Sequence, residues 1–217
     1  MQFLAWRRLR EEWSFDGAPI PQCARFFIPE VTSLLRDDEF LLDAGAHFGG
    51  VSEAFIKQTG AFDEIAAFEP DPANRAVLKD NLQTWLPDDP RVRVYEDALA
   101  EAEGNALFHD GLGYASQLSP TGRMNVTTRP LDAFRLAPTF IKLHLEGTEL
   151  PALIGARATL LAHRPIVAAT VYHNADGIWK TPRWLMETLP DYRFLFRAHA
   201  WCGNGAVVYA IPKERLA

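Results

Sequence analysis

Residues 39–53 read EFLLDAGAHFGGVSE, and this stretch decides the fold. It starts with a short apolar run that ends at Asp43, as expected of a buried strand. Gly45 and Gly49 then bracket a tight turn, and apolar residues at helical spacing follow. The stretch therefore predicts a strand, a glycine loop and a helix. In a strand–loop–helix segment of this kind the backbone of the loop can approach a ligand closely. The unpaired N–H groups at the start of the helix favour a carboxylate or phosphate.

The spacing of this loop separates two classes of ligand. A dinucleotide-binding loop shows G-x-G-x-x-G. Here the pattern is D-x-G-x-x-x-G, and His47 stands where the second glycine of that fingerprint would fall. The loop therefore lacks the middle glycine that lets the backbone approach a pyrophosphate.

A second apolar run, residues 65–68, predicts a buried strand that stops at Glu69, 24 residues after Gly45. An acidic residue at this place can accept hydrogen bonds from both hydroxyls of a ribose. A ribose without a diphosphate suggests S-adenosylmethionine. A third strand, residues 91–95, leads to Asp97, which is placed to accept from an adenine amino group. The predicted cofactor-binding residues are Asp43, Gly45, His47, Phe48, Gly49, Glu69, Pro70, Asp97 and Ala98.

Each of these residues also fits a purely structural role. Acidic residues at strand ends cap helices or form turns, and glycines turn the chain. Taken together, the two glycines and the two acids favour a cofactor site.

Composition favours one globular domain that acts on small molecules. The chain has 217 residues, 48% of them hydrophobic, and a net charge of −6. Its one basic cluster, residues 7–10, is followed at once by acidic residues, so we expect a solvated helix face and no nucleic-acid partner. Cys23 and Cys202 match no metal or redox spacing and are expected to be reduced.

Nothing in the sequence predicts a membrane segment. No apolar run reaches the ~18 residues that a membrane helix needs. At the start of the chain the charges follow the apolar residues, which is the reverse of a signal peptide. We therefore expect a cytoplasmic protein, whose oligomeric state and completeness the sequence leaves open.

Residues 1–38 are predicted to form an N-terminal helical segment packed on the core, and residues 39–217 the main domain. The N-terminal segment is expected to hold two short helices, the second over residues 26–35. In the main domain strands alternate with helices, except over residues 104–130, where two short strands flank a candidate lid, residues 111–116. The helix after the second strand should bury a stripe of Val77, Leu78 and Leu82, and the helix after the fourth strand a stripe of Leu150, Leu153, Ile154 and Leu161. The last two strands are joined by a loop too short for a crossover helix, so they must pair antiparallel. The prediction is an α/β, Rossmann-like fold with a seven-stranded, mostly parallel sheet, an antiparallel C-terminal hairpin and helices on both faces.

Four segments carry a resemblance to a known family. They are Asp43-Ala44-Gly45, Phe68-Glu69-Pro70, Ile141-Lys142-Leu143-His144-Leu145-Glu146-Gly147-Thr148-Glu149 and Val171-Tyr172-His173. With them, the chain resembles the FkbM-type family of S-adenosylmethionine-dependent methyltransferases over roughly residues 26–212. The most specific part is the lysine followed by E-G-x-E. The resemblance implies a class I methyltransferase fold and O-methylation of a hydroxyl group on a secondary metabolite or sugar.

This chain departs from the family at His144, where the family usually has Asp. The residue ends the predicted fourth strand, beside the expected position of the transferred methyl group. An imidazole there either serves as a base or marks altered chemistry. We predict a catalytic set of His144, Glu146 and His173, in which one histidine is the general base and Glu146 orients it or holds the cofactor's amino group. Tyr114, Arg197 and His199 are the predicted substrate-binding residues.

Two alternatives remain open. His144, Glu146, Glu149 and His173 offer mixed nitrogen and oxygen donors for metal assistance, but no close ligand spacing fixes such a site, so no metal is predicted. The chain also fits a protein that binds the cofactor without catalysis. An N6-adenine or glutamine-amide methyltransferase is disfavoured, because neither Asn-Pro-Pro-Tyr nor Asp-Pro-Pro-Tyr occurs.

Overall fold

The computed structural model describes residues 25–199 and 205–216 of the chain. These residues form eleven strands and six helices. The strands are β1 (Phe40–Ala44), β2 (Glu64–Phe68), β3 (Val92–Tyr95), β4 (Ala98–Leu99), β5 (Gly104–His109), β6 (Gln117–Leu118), β7 (Met124–Arg129), β8 (Phe140–Leu143), β9 (Ile166–Thr170), β10 (Tyr192–Arg197) and β11 (Val207–Pro212). The helices are α1 (Pro29–Thr32), α2 (Gly50–Thr59), α3 (Pro72–Trp85), α4 (Glu149–Ile154), α5 (Arg157–His163) and α6 (Gly177–Thr188).

The main sheet has seven strands in the order β10-β11-β9-β8-β1-β2-β3. The five strands from β9 to β3 are parallel, and β11 pairs antiparallel with both β9 and β10. Every residue of the central strand β1 is buried, because helices cover both faces of a parallel sheet. This topology confirms the predicted fold class, including the C-terminal hairpin.

A smaller sheet accounts for the interruption predicted over residues 104–130. Its order is β4-β7-β5-β6, with β5 antiparallel to β7 and β6. Phe108 and Val126 are buried in an apolar cluster of this sheet, together with Ala98 and the partly buried Leu118 and Met124. The loop that was predicted as a lid, residues 111–116, connects β5 to β6 and contains a 3₁₀ turn, Gly113–Ala115. The small sheet thus carries the loop beside the carboxyl end of the main sheet.

The helix predicted after the fourth strand is broken into α4 and α5. The break falls at Gly155, where the chain passes so close to Ala100 that an added Cβ would lie 2.0 Å from its carbonyl oxygen. The buried face continues across the break from Leu153 to Leu160, whereas Leu161, predicted on the buried stripe, is exposed. A contact with a distant part of the chain therefore overrides the local helical pattern.

The described part of the N-terminal segment packs on one face of the main sheet. Phe26, Phe27, Ile28 and Val31 are buried against residues of β1, β8 and β11. Of residues 26–35, which the sequence predicts to be helical, only α1 is helical, and Phe26 before it has a positive φ of 75°. The other predicted helix and both cysteines lie outside the described residues. None of the helices in the described ranges combines the length and apolar character needed to cross a bilayer.

Candidate active site

A cavity of about 350 Å³ opens at the carboxyl ends of the main-sheet strands. Residues within two positions of the ends of β1, β2, β3 and β8 contribute to its wall. This is the edge at which open α/β sheets bind ligands. Predicted site residues on the wall are Gly45, His47, Phe48, Glu69, Pro70, Asp97, Ala98, Tyr114, His144 and Glu146.

The two loop glycines are required by the backbone. Gly45 has φ +74°, and a Cβ there would lie 2.0 Å from the backbone oxygen of His144. Gly49 has φ +87° and precedes α2, and a Cβ there would lie 2.9 Å from Leu78 Cδ1. Gly45 faces the cavity, whereas Gly49 does not line it. The second glycine therefore shapes the loop without contacting a ligand.

Asp43 lies behind the loop and is completely buried, so the prediction that it contacts the cofactor is corrected. Its Oδ2 accepts a hydrogen bond from Ser52 Oγ at 2.8 Å, and its Oδ1 accepts from Lys142 Nζ at 2.8 Å. Lys142 Nζ also donates to the carbonyl oxygens of Ala44 and Gly45, the latter at 2.7 Å. Asp43 thus positions the glycine loop through Lys142.

Glu69 is buried at the end of β2 and lines the cavity, as predicted for the ribose-binding acid. Its Oε2 accepts from the backbone N–H of His47 at 2.7 Å, and its Oε1 accepts from that of Asp71 at 2.9 Å. Burial raises the pKa of Glu69, and these two N–H groups act against the rise. Each carboxylate oxygen has a second lone pair, so both can still accept a ligand hydroxyl.

Three stacked rings form one wall of the cavity. The His47 ring centroid lies 3.6 Å from that of Phe48 and 3.8 Å from that of Tyr114. Burial lowers the pKa of His47, and the charge of Lys142 lowers it further, so the imidazole is neutral at pH 7. A neutral aromatic wall suits the flat face of a nucleobase.

The loop 111–116 is fastened over the cavity by the start of α3. Asp71 Oδ2 accepts hydrogen bonds from Gly111 N at 2.8 Å and from Ser116 Oγ at 2.7 Å. Asn74 Nδ2 donates to Gly113 O at 3.1 Å. Asp71 also caps α3 through Ala73 N. One carboxylate therefore holds both the helix end and the loop that carries Tyr114.

The predicted catalytic residues meet at the ends of β8 and β9. Glu146 Oε1 lies 3.1 Å from His144 Nε2 and 3.2 Å from His173 Nε2. His173 Nδ1 lies 2.9 Å from Glu149 Oε1. His144 and Glu146 line the cavity, whereas His173 lies behind them. Glu146 adopts a positive φ of 52°, which is uncommon for a non-glycine residue and is held by the surrounding structure.

The three groups carry different charges at neutral pH. Burial lowers the pKa of His144 to about 4, so this imidazole is neutral. Burial acts against ionisation of Glu146, but its contacts with the two histidines lower its pKa to about 2. Burial also disfavours the protonated form of His173, yet the carboxylates of Glu146 and Glu149 raise its pKa to about 9. His173 therefore holds a proton at pH 7, and the groups free to receive one are His144 and Glu146.

Two predicted substrate-binding residues lie away from the cavity. Arg197 Nη2 pairs with Glu30 Oε1 at 2.6 Å. His199 is buried, with its Nε2 at 2.8 Å from Tyr209 Oη. The structure therefore does not bring Arg197 or His199 to the site, whereas Tyr114 is on its wall.

Sequence reasoning did not assign a site role to Lys142 or Arg25, both of which line the cavity. Lys142 carries a recognisable signal, since it is a charge inside the apolar run of β8. Arg25 donates from Nη1 to Tyr172 Oη at 3.2 Å. It stands far from every motif in the sequence, and no local pattern marks it.

Comparison with known proteins gives one family match. Residues 43–200 match the family model of the methyltransferase FkbM domain. No curated protein matches the chain.

Solved structures resemble the chain at different levels. The methyltransferase FkbM from Methylobacillus flagellatus KT is 26% identical with a TM-score of 0.75, and the match covers 96% of this chain and 52% of that one. The chain thus spans about half the length of that relative. A precorrin-6y C5,15-methyltransferase from Geobacter metallireducens GS-15 has 17% identity and a TM-score of 0.53, covering 84% and 86% of the two chains. The SAH-bound methyltransferase PaMTH1 from Podospora anserina has 14% identity and a TM-score of 0.52, covering 81% and 72%. The last two show the fold alone.

Proposed function

We propose, since the chain belongs to the FkbM methyltransferase family, that it transfers a methyl group from S-adenosylmethionine to a hydroxyl oxygen of a small molecule. One observation carries the proposal. The glycine loop and the Glu69 carboxylate face the same cavity as His144 and Glu146. Groups that can bind a nucleoside therefore share one cavity with groups that can accept a proton.

The residues of the cavity fit the cofactor. The buried carboxylate of Glu69 is suited to the ribose hydroxyls, and Gly45 of the glycine loop lines the same cavity. Asp97 and Ala98 line the wall where the adenine is expected, and Phe48, which is 38% exposed, offers a ring face to it. When bound, S-adenosylmethionine supplies a methyl group on a positively charged sulfur.

The chain's own groups handle the proton of the acceptor. A hydroxyl nucleophile must lose its proton, and Glu146 Oε1 and His144 Nε2, 3.1 Å apart on the cavity wall, are the groups that can hold it. Both are weak bases, because their pKa values are about 2 and about 4. The lid loop, pinned by Asp71, forms part of the wall of the same cavity.

The size of the cavity suits small-molecule ligands, the cofactor included. Its volume of about 350 Å³ falls within the roughly 300–1,000 Å³ that is typical of small-molecule sites. The loop 111–116 narrows the entrance further, since Gly113, Tyr114 and Ser116 line the cavity. A sugar or polyketide alcohol is the acceptor class that we propose.

Calorimetry with S-adenosylmethionine, S-adenosylhomocysteine and NAD tests the cofactor. We expect the first two to bind and NAD not to bind. Glu69→Gln should weaken binding by at least 10-fold, because a hydrogen bond to a charged group contributes about 1.5–3 kcal/mol. Glu64→Gln is the matched control at the opposite end of β2, where Glu64 pairs with Arg93. Binding of NAD alone, or equal binding by both variants, would overturn the proposal.

A screen of sugar and polyketide alcohols then tests the acceptor. Each turnover should form S-adenosylhomocysteine and raise the mass of the acceptor by about 14 daltons, the mass of one CH₂ unit. Mass spectrometry with fragmentation should place the methyl group on oxygen. A methyl group found on nitrogen or carbon would contradict the O-methylation part of the proposal.

A further inference from the structure

Three potential metal ligands converge at the ends of β8 and β9. The Nε2 atoms of His144 and His173 and a carboxylate oxygen of Glu146 all lie within 4.8 Å of one another. The two contacts that Glu146 Oε1 makes measure 3.1 and 3.2 Å. Donor atoms that share one transition-metal ion at about 2.0–2.2 Å lie roughly 2.8–3.6 Å apart. Two of the three separations therefore already match a common ion.

His173 supplies a second, independent observation. Its side chain is only 8% exposed, and its Nε2 points at the cluster. Despite the short distance to Glu146, this buried nitrogen makes no hydrogen bond within the described ranges of the chain. Buried polar atoms are nearly always hydrogen-bonded, so such an atom calls for another partner.

The other nitrogen of the same ring is held as in known metal sites. His173 Nδ1 contacts Glu149 Oε1, and Glu149 is itself fixed by Thr170 Oγ1 at 2.7 Å and by the backbone N–H of Leu145 at 3.0 Å. A carboxylate that accepts from one ring nitrogen directs the other nitrogen at a metal, which takes its lone pair once the proton that His173 holds at pH 7 has been released. The ring orientation of His173 is thus fixed for coordination through Nε2.

The remaining side of the cluster faces the cavity. His144 and Glu146 line it, so the position between them is reachable from the ligand space. Tyr172 Oη lies 3.2 Å from His144 Nε2 and also receives a hydrogen bond from Arg25. Tyr172 Oη keeps the hydrogen bond that it accepts from Arg25 when the lone pair of His144 is used elsewhere. A metal held here would keep at least one position open to a ligand in the cavity.

We propose that His144 Nε2, Glu146 and His173 Nε2 bind a divalent transition-metal ion, with Glu149 as the outer carboxylate that orients His173. Two imidazoles and one carboxylate form a donor set that suits Zn²⁺ and its neighbours better than Mg²⁺. The binding site stands on geometry alone. Its role in activity rests on the proposed function: with the metal bound, His144 and Glu146 are ligands instead of proton acceptors, and the open position takes the acceptor's hydroxyl oxygen, whose proton passes to water.

Metal titration of the full chain tests the site. Tag-free protein is stripped with EDTA, and Zn²⁺ is then added in competition with a chromophoric chelator. We expect one equivalent to bind with a micromolar or tighter Kd. His144→Ala and Glu146→Gln should each weaken binding by at least 10-fold. His163→Ala is the control, since His163 is exposed at the end of α5 and should leave the Kd unchanged.

Co²⁺ provides a readout that does not depend on the variants. Co²⁺ bound by the wild-type protein should give the strong visible absorption bands of a four- or five-coordinate ion, and added Zn²⁺ should abolish them. Absence of stoichiometric Zn²⁺ binding, or equal binding by wild type and both ligand variants, would overturn the metal site. Circular dichroism establishes that the variants are folded.

The two proposals fail separately. Calorimetry of the metal-free protein reports binding of S-adenosylmethionine by itself. Binding of that cofactor without Zn²⁺ binding would overturn only the metal site. Zn²⁺ binding without binding of the cofactor would overturn only the proposed function.

Discussion

Lys142 and Asp43 stand side by side on adjacent central strands and form a buried ion pair, with Nζ 2.8 Å from Oδ1. Both side chains are shielded from solvent. The lysine also donates to two carbonyl oxygens of the glycine loop. This pair therefore couples the pairing of β1 with β8 to the conformation of the glycine loop.

Replacing Lys142 by methionine should lower the free energy of unfolding by about 3–5 kcal/mol, because Asp43 would remain buried without a cationic partner. Urea unfolding at pH 7 measures the change. Lys213→Met is the control, since Lys213 pairs with Asp191 on the surface, and it should cost less than about 1 kcal/mol. Equal costs for the two variants would show that the buried pair is dispensable.

Gly45→Ala should destabilise the protein by about 3 kcal/mol or more, because the new Cβ would collide with the backbone at His144 in addition to adopting an unfavourable φ. Gly60 is a matched control, since its φ is +69° and nothing lies within 4 Å of an added Cβ. Gly60→Ala should lower the free energy of unfolding by only about 1–2 kcal/mol, because it adds the penalty of a positive φ without a steric collision. Thermal unfolding of both variants compares them, and a smaller cost at Gly45 would contradict the close approach.

Ser116→Ala should loosen the lid loop, because the Asp71 carboxylate loses one of its two loop contacts. A hydrogen bond to a charged group contributes about 1.5–3 kcal/mol, so the open fraction of the loop should rise by about 10-fold or more. Limited proteolysis with chymotrypsin, followed by mass spectrometry at Leu112 and Tyr114, measures the cleavage rate. Ser119→Ala in the next turn should leave that rate unchanged, and unchanged cleavage in Ser116→Ala would contradict the pinning.

Asp71 gives a pH dependence whose sign follows from its pKa. Burial raises that pKa, but the hydroxyl of Ser116 and the backbone N–H groups of Gly111, Asn74 and Ala73 lower it below its usual value overall. A carboxylate with a lowered folded-state pKa stabilises the fold above its unfolded pKa of about 3.9, and this stabilisation is lost as the pH falls through the folded-state pKa.

Asp71→Asn should therefore lower the free energy of unfolding by about 1–2 kcal/mol at pH 7, and the difference from wild type should shrink at pH 3. Urea unfolding at the two pH values measures it. Asp110→Asn, in the same region but exposed, should match wild type at both. A difference that grows on acidification would refute this assignment.

The main sheet was predictable from the sequence because its strands are apolar runs that end at polar or glycine residues. Residues 40–44 and 64–68 illustrate this, and both form strands within a residue or two of the prediction. The break at Gly155 was not predictable, since it depends on the position of Ala100 in space. Val77, predicted on the buried stripe of α3, is 39% exposed because the core contacts only the side of the helix that bears Leu78 and Leu82.

The candidate site was predictable only where strand order could be inferred. His144 and His173 are distant in sequence but come together because β8 and β9 are parallel neighbours. Arg197 ends β10 at the same edge of the sheet, yet β10 lies three strands from β8. At about 4.8 Å per strand this displaces Arg197 by roughly 14 Å from the position next to His144. The sequence indicates at which edge of the sheet a residue lies, but not how many strands separate it from the site.

The position of β11 between β9 and β10 constrains the order in which the molecule can assemble during synthesis. When the ribosome has completed β10, the strand that must separate it from β9 has not yet been made. Until residues 207–212 emerge, β9 presents an open edge with unpaired backbone groups, which is a surface prone to pairing with other nascent chains. The parallel half of the sheet can form early, but its closure must wait for the last strand.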